Sequence, residues 1–141
     1  LETRTLSGID IPKIAEPYIR RRAIRHLEKG RIVIIAGGTG NPFFSTDSAA
    51  ALRSVELDCS LLVKATKVDG VYDSDPVKNP DAKKYTNISF SEVLEKELAI
   101  MDLTAITLCK ENKMPILVLD ITKEGNLYNA LSNKDIGTTI S

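Results

Sequence analysis

Three short, unbroken apolar runs constrain this chain most: RIVIIA at residues 31–36, LLVKAT at 61–66 and PILVLD at 115–120. A strand with one wet face alternates apolar and polar residues. A run without that alternation reads as a strand covered on both faces, as in a parallel sheet. Parallel neighbours need long crossovers, and helix-like segments separate these runs. The pattern predicts an α/β fold with a mainly parallel sheet sandwiched between helices, in a single domain over residues 1–141.

The remaining segments fill in around these strands. Leu1 to Ile11 reads as an edge strand running into a loop. A helix is predicted to open at Pro17 and to stop before Gly30, since proline suits a first turn and glycine the position past the last. Ile19, Ala23 and Leu27 share one face of it. Arg20 to Arg22 read as a solvated face, with a grip on phosphate as the alternative. A second helix begins near Thr46, with Ala49, Ala50 and Ala51 allowing close packing. Residues 67–85 are a long polar stretch, and loops of that length are commonly functional or disordered. Tyr85 to Phe90 reads as a short strand. Ser91 is read as the cap of a helix in SFSEVLEKEL, and Asp102 as the cap of LTAITLCKENK. Asn126 to Ser132 is predicted as a short helix, and Gly137 to Ile140 as a closing edge strand.

Composition excludes several classes. Lys plus Arg and Asp plus Glu are both 19, so the net charge is zero. That argues against a protein that coats nucleic acid or grips an anionic membrane through bulk charge. No long apolar stretch or charged-then-apolar leader is seen, so neither a membrane span nor a secretion signal is expected. Cys59 and Cys109 read as two free core thiols of a reducing cytoplasm. His26 is the only histidine and reads as a surface residue. No Ser-His-Asp arrangement or Cys/His ligand spacing stands out, so no metal site built from side chains is expected.

In open α/β sheets ligands bind beyond the carboxyl ends of the strands. Two polar loops leave strands there. The first, Gly37 to Ser45, has the physics of a phosphate cradle. Its glycines let backbone N–H groups approach a ligand, and the next helix adds free donors at its N-terminus. It carries neither a Walker A lysine nor the G-x-G-x-x-G spacing. On these grounds alone a bare turn and a ligand loop are equally compatible. Phe43 and Phe44 read as core residues, at least one of them, or as an apolar wall beside a flat base. Asp47 either complements the helix dipole, or holds a magnesium ion or orients a cationic side chain at a phosphoryl-transfer centre. The second loop carries Thr66, Lys67, Asp69, Tyr72, Asp73 and Asp75, with Lys64 before it. An aromatic face beside hydroxyls and carboxylates suits adenine and ribose, though such a stretch is also an ordinary solvated turn.

GTGNPFFSTDSAA, KATKVDGVYDSDP and FSEVLEKELAIMDLTAITLC, in that order, closely resemble the bacterial uridylate kinases of the amino acid kinase superfamily. PYIRRRAIRHLEKGR resembles the helix that precedes the first loop there. The resemblance implies an enzyme that moves the γ-phosphoryl group of ATP to UMP, with Mg²⁺, in pyrimidine nucleotide biosynthesis. It implies a cytoplasmic homohexamer regulated by GTP and UTP. Carried over by position, Thr39, Gly40, Asn41, Pro42, Phe43, Phe44, Ser45 and Thr46 would line the UMP site. Thr66, Tyr72 and Asp75 would contact ATP. Asp47 and Asp102 would be the catalytic aspartates.

The family's opening strand with its Lys-x-Ser-Gly segment, its second glycine loop and its acidic UMP contact have no counterpart in these 141 residues. The resemblance therefore covers roughly the C-terminal half of a family member, from about Pro17 onward. Two expectations stand side by side. One is the nucleotide-binding part of a UMP kinase. The other is a non-catalytic binding or assembly fragment of such an enzyme. A relative acting on a carboxylate or carbamate is disfavoured by the Asn-Pro-Phe-Phe loop.

Overall fold

A computed structural model describes residues 1–132 and 136–141 of the chain. Its elements, in order, are β1 (Thr3–Ser7), β2 (Glu16–Pro17), α1 (Arg20–Glu28), β3 (Ile32–Ala36), α2 (Thr46–Glu56), β4 (Leu62–Thr66), β5 (Asn87–Ile88), α3 (Phe90–Glu95), α4 (Leu103–Glu111), β6 (Ile116–Asp120), α5 (Asn126–Leu131) and β7 (Thr138–Ile140). The class is α/β, with parallel sheets flanked by helices. The sequence alone was read as one domain; contacts along the chain gather into two compact units, Leu1–Cys59 and Ser60–Ser141.

The first unit holds a three-stranded parallel sheet in the order β2-β1-β3. β1 was expected at an edge, yet it is the central strand. It pairs with β3 from Thr3↔Ile32 to Ser7↔Ala36 and with β2 at Leu6↔Glu16 and Ser7↔Pro17. Its Leu6 is fully buried. Pro17 does not open a helix. It sits in β2, where a residue without an N–H is tolerated at a sheet edge. α1 instead starts at Arg20, with Ile19 in extended backbone as its N-cap. β3 is not covered on both faces as its apolar run suggested. Val33 and Ile35 are half-buried, while Ile32 and Ile34 are 46% and 49% exposed.

Two arginines of α1 form surface pairs. Arg20 reaches Asp58 at 2.8 Å and the Glu56 carbonyl, and Arg22 reaches Glu16 at 3.3 Å. His26 is not a surface residue. Its ring is held between Glu16 at 3.2 Å and Arg31 at 3.1 Å. On α2, the Arg53 guanidinium stacks over the Tyr18 ring at 3.9 Å and pairs with Glu56 at 2.8 Å. The Tyr18 hydroxyl donates to the same carboxylate at 2.8 Å. Burial, helped by that bond, pushes the phenol up to about 12.

The second unit holds a four-stranded sheet in the order β4-β6-β7-β5. β4 and β6 are parallel, β5 and β7 are parallel, and β6 and β7 run antiparallel. All five residues of β6 are buried, as its apolar run predicted. β4 is less covered: Leu62 is buried, but Ala65 is exposed. β7 was expected at an edge and lies inside the sheet, with Thr138 and Ile140 fully buried. Gly137 makes that approach possible. A Cβ there would stand 2.1 Å from the Val118 carbonyl oxygen.

Ile88, Phe90, Val93, Ala105, Ile106, Cys109, Met114 and Ile116 are core residues of this unit. Cys109 is thus the buried thiol expected, and burial raises it to about 11, whereas Cys59 is exposed. The cap of α3 is Ser89 rather than Ser91. Ser89 and Glu92 form a reciprocal capping box, while the Ser91 hydroxyl accepts from Lys110 Nζ at 3.2 Å. Asp102 caps α4 as predicted, accepting from the Ala105 N–H at 2.9 Å. Among the described residues no helix is long and apolar enough to cross a membrane.

Candidate functional site

Each unit places a polar loop at the carboxyl end of a parallel strand, and each loop borders a cavity. In the first unit the loop runs from Gly37 at the end of β3 to Ser45, the N-cap of α2. The Ser45 hydroxyl accepts from the Ser48 N–H at 3.0 Å. The turn itself is held by Thr39, whose Oγ1 accepts from the Asn41 N–H at 3.1 Å, and by a Gly40 N–H bond to the Gly37 carbonyl at 3.1 Å. These bonds leave an open cavity of about 300 Å³.

Seven of the eight residues expected at the acceptor line it: Thr39 to Pro42 and Phe44 to Thr46. Phe43 does not; it takes a left-handed conformation (φ 68°) and is wholly exposed. Phe44 lines the cavity and is 55% exposed, so neither phenylalanine packs into a core. Asp47 sits in the first turn of α2, half-buried, where its charge favours the helix dipole. Ile9 also lines this cavity, from the segment after β1, and nothing in the sequence pointed to it.

In the second unit the loop after β4 is neither disordered nor featureless. It folds back on itself through a Tyr72↔Lys84 bridge. The Asp73 N–H donates to the Lys83 carbonyl at 3.0 Å, and the Tyr85 N–H to the Val71 carbonyl at 2.8 Å. Both arms are tied to β7 by one hydroxyl. Thr138 Oγ1 accepts from the Val71 N–H at 2.9 Å and donates to the Tyr85 carbonyl. The Asp75 carboxylate accepts from the Val77 N–H at 2.9 Å.

The cavity beside this loop measures about 470 Å³. Thr66, Tyr72 and Asp75, the three residues expected at ATP, all line it, together with Lys64. The Tyr72 hydroxyl donates to Asp69 at 2.8 Å, and Lys84 approaches the same carboxylate at 3.4 Å. The Tyr72 bond, with the Lys84 charge, holds Asp69 below the usual carboxylate range. Glu97 to Ile100, which link α3 to α4, complete the wall. They lie in the ELAIMD part of a quoted motif, a signal that the residue-by-residue reading passed over. Asp102 is absent from this lining and carries the α4 cap.

A volume of 300 Å³ or more is the scale of small-molecule sites. Glycine N–H groups and hydroxyls favour phosphate in the first cavity. The Tyr72 ring, Val71 and Leu98 offer apolar surface, and Asp75 an acceptor, in the second. Among the described residues no group of three or more His, Cys, Asp or Glu is placed to hold a metal ion. The donor set does not fit a resident metal.

The sequence profile of the amino acid kinase family matches residues 4–120. Among solved structures, UMP kinase from Bacillus anthracis superposes with a TM-score of 0.97 at 35% identity, over 99% of this chain and 58% of its own. UMP kinase from Ureaplasma parvum gives 0.94 at 37% identity, over 100% and 60%. Uridylate kinase from Archaeoglobus fulgidus gives 0.70 at 29% identity, over 89% and 59%. The chain spans about three fifths of the length of these structures.

Proposed function

The chain belongs to the amino acid kinase family, and from that premise we propose that its parent protein transfers the γ-phosphoryl group of ATP to UMP, giving UDP and ADP. The family and the neighbours support a kinase function. One observation carries the step from kinase to UMP kinase. The loop whose wording resembles the uridylate kinases borders a cavity of ligand size with seven of its eight expected residues on the wall.

In this reading Thr39 to Pro42 and Phe44 to Thr46 hold UMP, with backbone N–H groups and hydroxyls on its phosphate. Thr66, Tyr72 and Asp75 hold ATP. Mg²⁺ would enter bound to the ATP phosphates, with no cluster of this chain's carboxylates to hold it among the described residues, and would supply charge neutralisation there. An oxygen of the UMP phosphate bonds to the γ-phosphorus while the bridging oxygen leaves with ADP. Such transfers depend on positioning and on stabilising spread charge. Asp47, at the N-terminus of α2, is assigned to organise the cationic groups around the transferred phosphoryl. Asp102, which caps α4 outside the cavity lining, is carried over as the second aspartate on the resemblance alone. The setting proposed is pyrimidine nucleotide biosynthesis in the cytoplasm, in a homohexamer regulated by GTP and UTP.

The test is a coupled assay of the complete protein with ATP and a panel of monophosphates and amino acids. Turnover highest with UMP is expected; preference for CMP or an amino acid overturns the assignment. The span of about three fifths of its relatives supports a second reading for the 141 residues taken alone, as a binding or assembly part without turnover. Robust turnover by a chain of verified mass would refute that reading.

A further inference from the structure

The first cavity has one wall that its glycine loop does not supply. Ile9 lies just past β1 and lines the cavity together with Pro42 and Phe44. It is held there closely. Ser7 is buried, and its Oγ accepts from the Ile9 N–H at 3.1 Å while donating to the Ile9 carbonyl at 2.7 Å. The Gly8 N–H donates to the Ala36 carbonyl at 2.8 Å, at the point where the glycine loop begins.

The two segments interlock without spare room. A Cβ on Gly37 would meet Ile9 Cγ1 and N at 3.2 Å. A Cβ on Gly8 would stand 2.7 Å from the Gly38 carbonyl oxygen, and one on Gly40 2.3 Å from that of Gly8. The backbone carrying Ile9 therefore moves with the loop or not at all. Its side chain, however, is 53% exposed. A pinned aliphatic group left half in water, on the wall of a cavity whose other groups suit phosphate, is placed to be covered by the apolar part of a ligand. In a nucleotide that part is the base.

We propose that Ile9 is a specificity-determining residue: it packs against the base of the acceptor nucleotide and limits the width available to it, favouring a pyrimidine over a purine monophosphate. The proposal rests on the reading of this cavity as the UMP site. Ser7 is the positioning residue that fixes Ile9.

The experiment uses the complete protein, with UMP affinity by calorimetry and kcat and KM for UMP, AMP and ATP. Ile9→Ala should weaken UMP binding about tenfold, the lower end of what a methylene-scale change in an apolar pocket produces. The KM for ATP and the melting temperature should stay unchanged, and the preference for UMP over AMP should narrow. Ile9→Val, which keeps most of the wall, should stay close to the parent. Unchanged UMP affinity in Ile9→Ala, or an equal loss for UMP and ATP, overturns the proposal. A parent protein that binds CMP in place of UMP, with Ile9→Ala weakening it, overturns the UMP reading and leaves the role of Ile9 standing, whereas one that prefers a purine monophosphate overturns both. A parent that binds no monophosphate overturns both.

Discussion

Gly38 and Gly40 stand two residues apart in one loop and share a left-handed backbone, at φ 59° and 75°. They differ in what surrounds them, and that difference gives a quantitative test. An alanine at either position pays for a left-handed conformation, about 1 kcal/mol. At Gly38 nothing lies within 4 Å of the added carbon, so the cost ends there. At Gly40 the carbon would sit 2.3 Å from the Gly8 carbonyl oxygen, where ordinary contact begins at 3.4 Å. Relief requires a backbone shift of about an ångström in one of two hydrogen-bonded segments. Overpacking of that kind adds roughly 1–3 kcal/mol. Gly40→Ala should therefore cost roughly 3 kcal/mol in total against about 1 for Gly38→Ala. Denaturant titration of the two variants measures both values. In the complete protein Gly40→Ala should also raise the KM for UMP more than Gly38→Ala, because the displaced segment carries Ile9. Equal losses in the two variants would refute the interlock.

Three further outcomes follow from named contacts. Asp47→Asn in the complete protein should lower turnover on the order of 100-fold while leaving UMP affinity near the parent value, as for a group acting on transition-state charge; a calorimetric and kinetic comparison checks it, and unchanged turnover returns Asp47 to a helix-dipole role. Ser89→Ala should cost about 1 kcal/mol in a denaturant titration by removing the α3 capping box, whereas Ser91→Ala should be nearly neutral. Because burial, with the Glu56 bond, raises the Tyr18 phenol from 10.0 to about 12 in the folded state, its stabilising contribution is complete below pH 10 and is lost as the pH climbs through 12; Tyr18→Phe should flatten that part of the melting-temperature profile, and an unaltered profile would refute the shift.

How much of this was legible in the sequence depended on how local each signal was. β6 could be read outright, since four apolar residues in a row, Ile116 to Leu119, leave it no wet face. Asp102 could be read because a cap acts on the N–H three residues ahead of it. The α3 cap was misplaced although its evidence was equally local: Glu92 stands three residues after Ser89, the spacing of a capping box, and Ser91 drew attention away from it. The positions of β1 and β7 within their sheets were not legible. They are set by pairings with Ile32 and Ile116, 29 and 24 residues away along the chain. The exposure of Ile34 was illegible for a related reason, since an apolar run says what a strand tolerates and not what covers it. In the candidate site, the loop residues other than Phe43 fall on the two cavity walls, and they could be named because each loop carries its own wording. Ile9 was not, because its place on the cavity wall arises from the Ser7 turn meeting a loop that starts at Gly37.

The clamp made by Thr138 has a consequence for the order in which the molecule matures. The loop that lines the second cavity leaves β4 early, but the hydroxyl that joins its two arms arrives with β7, 67 residues after Val71. Contacts of such separation form late, since the chain between them must be ordered before they contribute. During synthesis the residues assigned to ATP are therefore all present long before the cavity that gathers them. The cavity of this unit should form only once β7 has paired, and a ligand captured there would report on completion of the sheet rather than on the loop.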